Sequence, residues 1–187
     1  MKQAASVSLA ACRARRDGRA LLADQRGATI VEFAFVAAPL IALLMAILVT
    51  STVYFAQEGL ETATEATSRV LMTGQAQSGG YSATQFKQVA CNALPSFMNC
   101  ANLLVDVESA SSFSAVNTAA PTITFDSHGN VSNSFAYTPG NAGDIVVIRL
   151  MYIWKVPTGP LGFNLATLGN GQRLLMATSV AKTEPFS

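Results

Sequence analysis

One carboxylate in this chain stands where water should be scarce. Glu32 lies within RGATIVEFAFVAAPLIALLMAILV, five residues past Gly27 and at the head of the most apolar run in the sequence. A carboxylate in hydrocarbon is costly unless a cation reaches it, so the chemistry on offer here is charge pairing with an amine or guanidinium. Arg26 is one such cation, and beside it Glu32 would be no more than an interfacial acid held near lipid headgroups.

Residue types suited to catalysis are thin elsewhere. His128 is the single histidine and sits in DSHGN with Asp126 and Asn130, a turn-forming stretch that places it at the surface. A metal centre would need more His, Cys or clustered acids than this, and none of the serines has a nucleophile-elbow setting. The sequence therefore points away from an enzyme and calls for no cofactor or metal. Trp154, the only tryptophan, is expected to anchor a core or an interface. Of the three cysteines, Cys12 lies in a basic leader, whereas Cys91 and Cys100 close a short loop further on. In an oxidising compartment those two should form a disulfide contributing about 2–3 kcal/mol, the alternative being two free buried thiols.

The elements that would position Glu32 follow from the charge distribution. Residues 1–27 carry six basic and two acidic side chains, net +4, while the remainder carries six basic and nine acidic, net −3. No basic surface is left there to hold nucleic acid. From Phe33 to Gln57 no charged residue occurs, which gives 25 positions, or about 37 Å of helix. Ten Leu, Ile, Val or Phe between Phe33 and Val49 together favour insertion by roughly 3 to 6 kcal/mol, more than one acid near the end can reverse. The preceding basic flank keeps the N-terminus cytoplasmic and sends the rest outward. A cleavable secretory signal is disfavoured because the core is long and exits through VTSTVYFAQE without a small-x-small site. Arg15 and Arg16 lack a nearby apolar stretch and count as basic flank rather than a twin-arginine signal.

The spacing of Gly27, ATIV, Glu32 and Phe33 ahead of an apolar helix resembles the prepilin signature. More specifically, RGATIVEFAFVAAPLIALLMAIL resembles the TadE-like family, membrane-anchored minor pilins of the tight-adherence pilus system, which share an R-G-x-x-x-V-E-F-A start and a proline near mid-span, here Pro39. DIVVIRLMYIW and LLMATSVAKTEPF resemble the family's last two strands and its ending, whereas residues 75–143 carry no matching motif. The resemblance implies cleavage after Gly27 by a prepilin peptidase, leaving Ala28 as the new N-terminus. It further implies that Glu32, with Phe33 beside it, docks subunits by pairing with a terminal amine. A glycine at the cut offers the unhindered backbone that a protease cleft needs.

Within the span, Ala34, Ala38, Ala42 and Ala46 form a ridge that would let another helix approach closely, and Pro39 should bend or soften the helix about one turn past Phe35. Glu58, Glu61, Glu65 and Arg69 then share one face and Leu60, Ala63, Thr67 and Val70 another, predicting that the helix continues as an amphipathic stalk with a Glu65–Arg69 pair. Gly74 should stop it, with QAQSGG as a linker. SATQFKQVACNAL reads as a capped helix beginning at Ser82 with Gln85. Strands are predicted in LLVDVES, PTITFD and VSNSFAY, over 145–156 and over 174–182, with SHGN as a turn.

The expected fold class is α+β: a long N-terminal transmembrane helix continuing as a stalk, then a small pilin-like head with a helix on an antiparallel sheet. Its parts are a cleaved cytoplasmic leader (1–27), span and stalk (28–74) and an extracytoplasmic head (75–187). The expected function is that of a processed minor pilin or assembly factor for tight-adherence pili. Expected partners are the prepilin peptidase, other pilin and pseudopilin subunits, inner-membrane assembly proteins and the lipid bilayer. The setting would be the bacterial inner membrane, single-pass with a periplasmic head, with entry into the pilus left open. An uncleaved, signal-anchored periplasmic ligand-binding or sensor module is the competing expectation.

Overall fold

One helix carries more than a quarter of the described chain. In the computed structural model, which describes residues 27–185, α1 runs from Ala28 to Met72 and includes Pro39 without interruption. It ends where expected. Gly74 takes a left-handed conformation (φ 70°) and its N–H bonds back to the Leu71 carbonyl at 3.1 Å, a conformation glycine adopts without the steric penalty of a Cβ.

The described residues divide into two units, one ending at Met45 and the other beginning at Ala46. In the first, the α1 side chains described from Thr29 to Met45 are exposed apart from half-buried Ala37 and Ala42. In the second, Val53, Ala56, Leu60, Ala63, Thr67 and Leu71, spaced by three and four, are buried as one helical stripe. All but Thr67 join the main apolar core. The stripe that the sequence marked on Leu60, Ala63 and Thr67 is thus a core face, and Glu58, Glu61, Glu65 and Arg69 lie exposed. The stretch cast as a stalk is the central helix of an α+β unit, because its apolar face meets a sheet rather than water. The expected Glu65–Arg69 ion pair is absent among the described residues; Gln57 instead donates to Glu61 at 2.8 Å. QAQSGG is no free linker either. Its first four residues form α2 (Gln75–Ser78), Ala76 is buried, and Gln77 Nε2 donates to the Pro139 carbonyl at 2.7 Å.

Helix α3 (Ala83–Ala93) has the capping box read from sequence: the Gln85 N–H donates to Ser82 Oγ, and the Ser82 N–H to Gln85 Oε1 at 2.8 Å. Phe86 and Ala90 are its buried residues. Cys91, in its last turn, is disulfide-bonded to Cys100 with Cα atoms 5.3 Å apart, tying α3 to the turn that leads into the sheet.

That sheet has three antiparallel strands in the order β1 (Leu103–Ala110), β2 (Ile145–Lys155), β3 (Gln172–Lys182). Alternation assigns its faces. Val107, Ile148, Leu150 and Ala177 join the α1 stripe in the main core, whereas Met151 and Ile153 point the other way and meet Ile123, Phe125, Val131 and Phe135. Central strand β2 is therefore apolar on both faces, which explains its near-continuous hydrophobic run.

The second face is covered by residues 111–144, where the structure departs from the sequence reading. PTITFD and VSNSFAY form no strands. They touch as an antiparallel pair only at Phe125–Val131, and Tyr137 bridges β1 at Val107 in parallel. Polar side chains take the hydrogen bonds that a ladder would need: the Thr124 N–H donates to Asn133 Oδ1 at 2.7 Å, and the Ala136 N–H to Asp106 Oδ1 at 2.9 Å. The SHGN turn between them does form, with the Asp126 carboxylate accepting the His128 and Asn130 N–H groups, both at 2.8 Å.

Candidate functional site

Gly27 immediately precedes α1, is exposed, and has open space where a side chain would stand. Glu32, one turn inside the helix, is exposed, as are Phe33, Ala34, Ala38 and Pro39, while Ala42 and Ala46 are half-buried. Ile30, Phe33, Phe35, Val36, Leu40 and Ile41 project on every side of the helix at more than half exposure. A helix that is apolar all round is stable in hydrocarbon and not in water. By length and composition α1 is a candidate membrane span.

The polar residues that follow do not break this character. Thr50 Oγ1 donates to the Ala46 carbonyl, Ser51 Oγ to Ile47 and Thr52 Oγ1 to Val49, each at 2.8 Å. Hydroxyls satisfied by their own helix cost little in lipid, so the apolar stretch extends through VTST. The arrangement offers two things chemically: an accessible glycyl peptide bond just before a helix, and a lone carboxylate at the head of an apolar rod.

Residues 27–69 match the family model described as TadE-like protein. The N-terminal helix is similar to that family over this segment. The match starts at Gly27 itself, contains Glu32 and Pro39, and stops within α1, so the sheet and its connections lie outside it. No curated protein and no solved structure matches the chain.

The α+β unit holds no group of three or more His, Cys, Asp or Glu that could ligate a metal among the described residues. His128 is exposed in its turn, with Nδ1 3.2 Å from Ser127 Oγ. In the same turn the N–H donors of Asn130 and then His128 hold the Asp126 carboxyl below its ordinary range. Burial pushes the Tyr137 phenol up. Trp154 is half-buried against the core, with Phe97 edge-on at a centroid distance of 6.5 Å.

Sequence reasoning missed the most polar part of the interior. Arg149, at the middle of β2, is 4% exposed, and its Nη2 lies 2.6 Å from Asp106 Oδ2 and 2.6 Å from Glu108 Oε1. Its Nε also bonds Asp106, at 2.8 Å, and Nη1 reaches the Asn117 carbonyl at 2.8 Å. Asp106 and Arg149 are paired in register across β1 and β2. The network pins the irregular covering segment at Asn117 and Ala136, which is a structural task rather than a catalytic one. A signal was present: Arg149 is the one charge within the apolar run IVVIRLMYIW of β2, and Asp106 and Glu108 stand two apart in β1, hence on one face.

Proposed function

We propose that this protein is a processed minor pilin or assembly factor of tight-adherence pili, cut after Gly27 by a prepilin peptidase. The coarser statement, a pilus-associated protein of minor-pilin kind, follows from the TadE-like segment. The observation that carries the finer reading is the placement of Gly27 and Glu32, both exposed, on either side of the start of one apolar helix. Cutting between Gly27 and Ala28 would create an α-ammonium group four residues from Glu32. In hydrocarbon that carboxylate gains most from a cation that a neighbouring subunit brings with its own N-terminus, so burial drives one subunit to dock beside another. Phe33 and the ridge of Ala34, Ala38, Ala42 and Ala46 supply apolar contact along the docked helices, and Pro39 frees the Phe35 carbonyl, softening the helix for passage from bilayer to assembly. The disulfide supports exposure of the α+β unit to an oxidising compartment, as a periplasmic head on an inner-membrane anchor would have.

Replacing Glu32 with Gln is expected to leave membrane insertion and cleavage intact and to abolish pilus assembly, scored by membrane fractionation and by pili recovered from the cell surface. Full piliation by Glu32→Gln would remove the docking role. An uncleaved anchor working as a sensor would retain the leader and ignore both substitution and peptidase.

A further inference from the structure

We propose that the β2–β3 loop is a second membrane contact, with Leu161 and Phe163 entering the interfacial layer of the bilayer that α1 crosses; this rests on the reading of α1 as a span. The loop is built rather than slack. The Gly159 N–H donates to the Phe163 carbonyl at 2.8 Å and the Phe163 N–H to the Pro160 carbonyl at 3.2 Å, closing a tight turn around Leu161. Leu161 stands at its apex, 89% exposed and in a left-handed conformation (φ 58°), the one non-glycine residue with positive φ among the described residues. Such a conformation is disfavoured for a residue with a Cβ, and a leucine side chain in water forgoes its transfer free energy as well. Asparagine or glycine at this position would relieve both penalties if the loop faced only water.

Its position tells which apolar medium it meets. Phe163 lines an open groove of about 440 Å³ whose α1 wall runs from Ala46 and Ile47 through Thr50 and Tyr54 to Glu58 at its polar end. Ala46 and Ile47 belong to the charge-free run, and Thr50 is already satisfied within the helix. The loop therefore lies beside the turns of α1 that lead from the last apolar residues to Glu58, which lines the same groove and brings the helix into water. Tyr54 and Phe55 are 67% and 69% exposed at this level, as in the aromatic belts that mark a membrane boundary. Two cations stand at the same end of the sheet: exposed Lys155, which closes β2, and Arg173, whose Nη1 donates to the Leu165 carbonyl at 3.0 Å and which lines a neighbouring groove with Thr50 and Tyr54. Phosphate headgroups complement that charge. The occupant assigned is lipid, because the groove is continuous with the segment that lipid already surrounds.

The test uses the full chain with Cys12→Ser, the native disulfide intact, and a spin label at Leu161→Cys, Leu44→Cys or Phe113→Cys, in vesicles of phosphatidylcholine and phosphatidylglycerol. Leu44 lies in the span, and exposed Phe113 follows β1 at the end of the sheet opposite Lys155. Collision with oxygen should exceed collision with a water-soluble nickel complex several-fold at 161, as at 44, and the order should reverse at 113. A label at 161 that behaves like the one at 113, while 44 remains in lipid, overturns the loop contact alone. Aqueous behaviour at 44 would instead sink the span on which it rests. Shielding of 161 from both reagents that grows with protein density would assign the groove to a second copy and likewise overturn the proposal.

Discussion

The two halves of α1 are one secondary structure meeting two different environments. Between Thr29 and Leu48 nearly every side chain is apolar and exposed, on all sides of the helix. From Val49 to Met72 the buried apolar residues keep to one stripe, and beyond exposed Tyr54 and Phe55 the opposite side carries Glu58, Glu61, Thr62, Glu65 and Arg69. Both halves belong to one continuous α-helix. What differs is angular distribution: a full cylinder of hydrocarbon groups needs lipid, and a single stripe needs a sheet.

That contrast can be broken by truncating leucine in each half. Leu60, fully buried, should cost about 2–5 kcal/mol as Leu60→Ala, whereas Leu44→Ala should change the unfolding of the α+β unit by less than about 0.5 kcal/mol, both read by denaturant titration in detergent micelles. Equal costs would mean the halves share one environment. The converse substitution, Leu44→Lys, should disfavour insertion by about 3 kcal/mol in a membrane-insertion assay. Gly59→Ala sharpens the contrast further. Alanine is the better helix former by about 1 kcal/mol, but a Cβ at Gly59 would stand 2.5 Å from Pro95 Cγ. The expected outcome is a net loss of about 1–3 kcal/mol from crowding, and a gain would show that the helix is not packed there. Ser82→Ala should cost about 1 kcal/mol through the α3 cap and leave insertion unchanged, as circular dichroism melts and the insertion assay would read.

How far the sequence could be read follows the same division. The charge-free run, the glycine stop at Gly74, the α3 capping box and β1, β2 and β3 were legible because each is a local pattern of period or termination. The burial of Leu60, Ala63 and Thr67 was legible as a stripe but not as a sheet contact, since a stripe names a face and not its partner. Residues 121–137 look like strands because apolar and polar residues alternate there, but Asn133 and Asp106 capture backbone donors that a ladder would have used, and the segment packs as irregular cover over Met151 and Ile153. The Arg149–Asp106 pair depends on strand register, which only the folded sheet fixes. Gly27 and Glu32 were conspicuous from type and spacing alone, because a carboxylate is costly at the head of an apolar run.

The intact mass of the protein extracted from its native membrane bears most directly on this account. Loss of residues 1–27, leaving a chain that begins at Ala28, is the predicted result. A mass that still includes the leader would contradict it and leave an uncleaved anchor in its place.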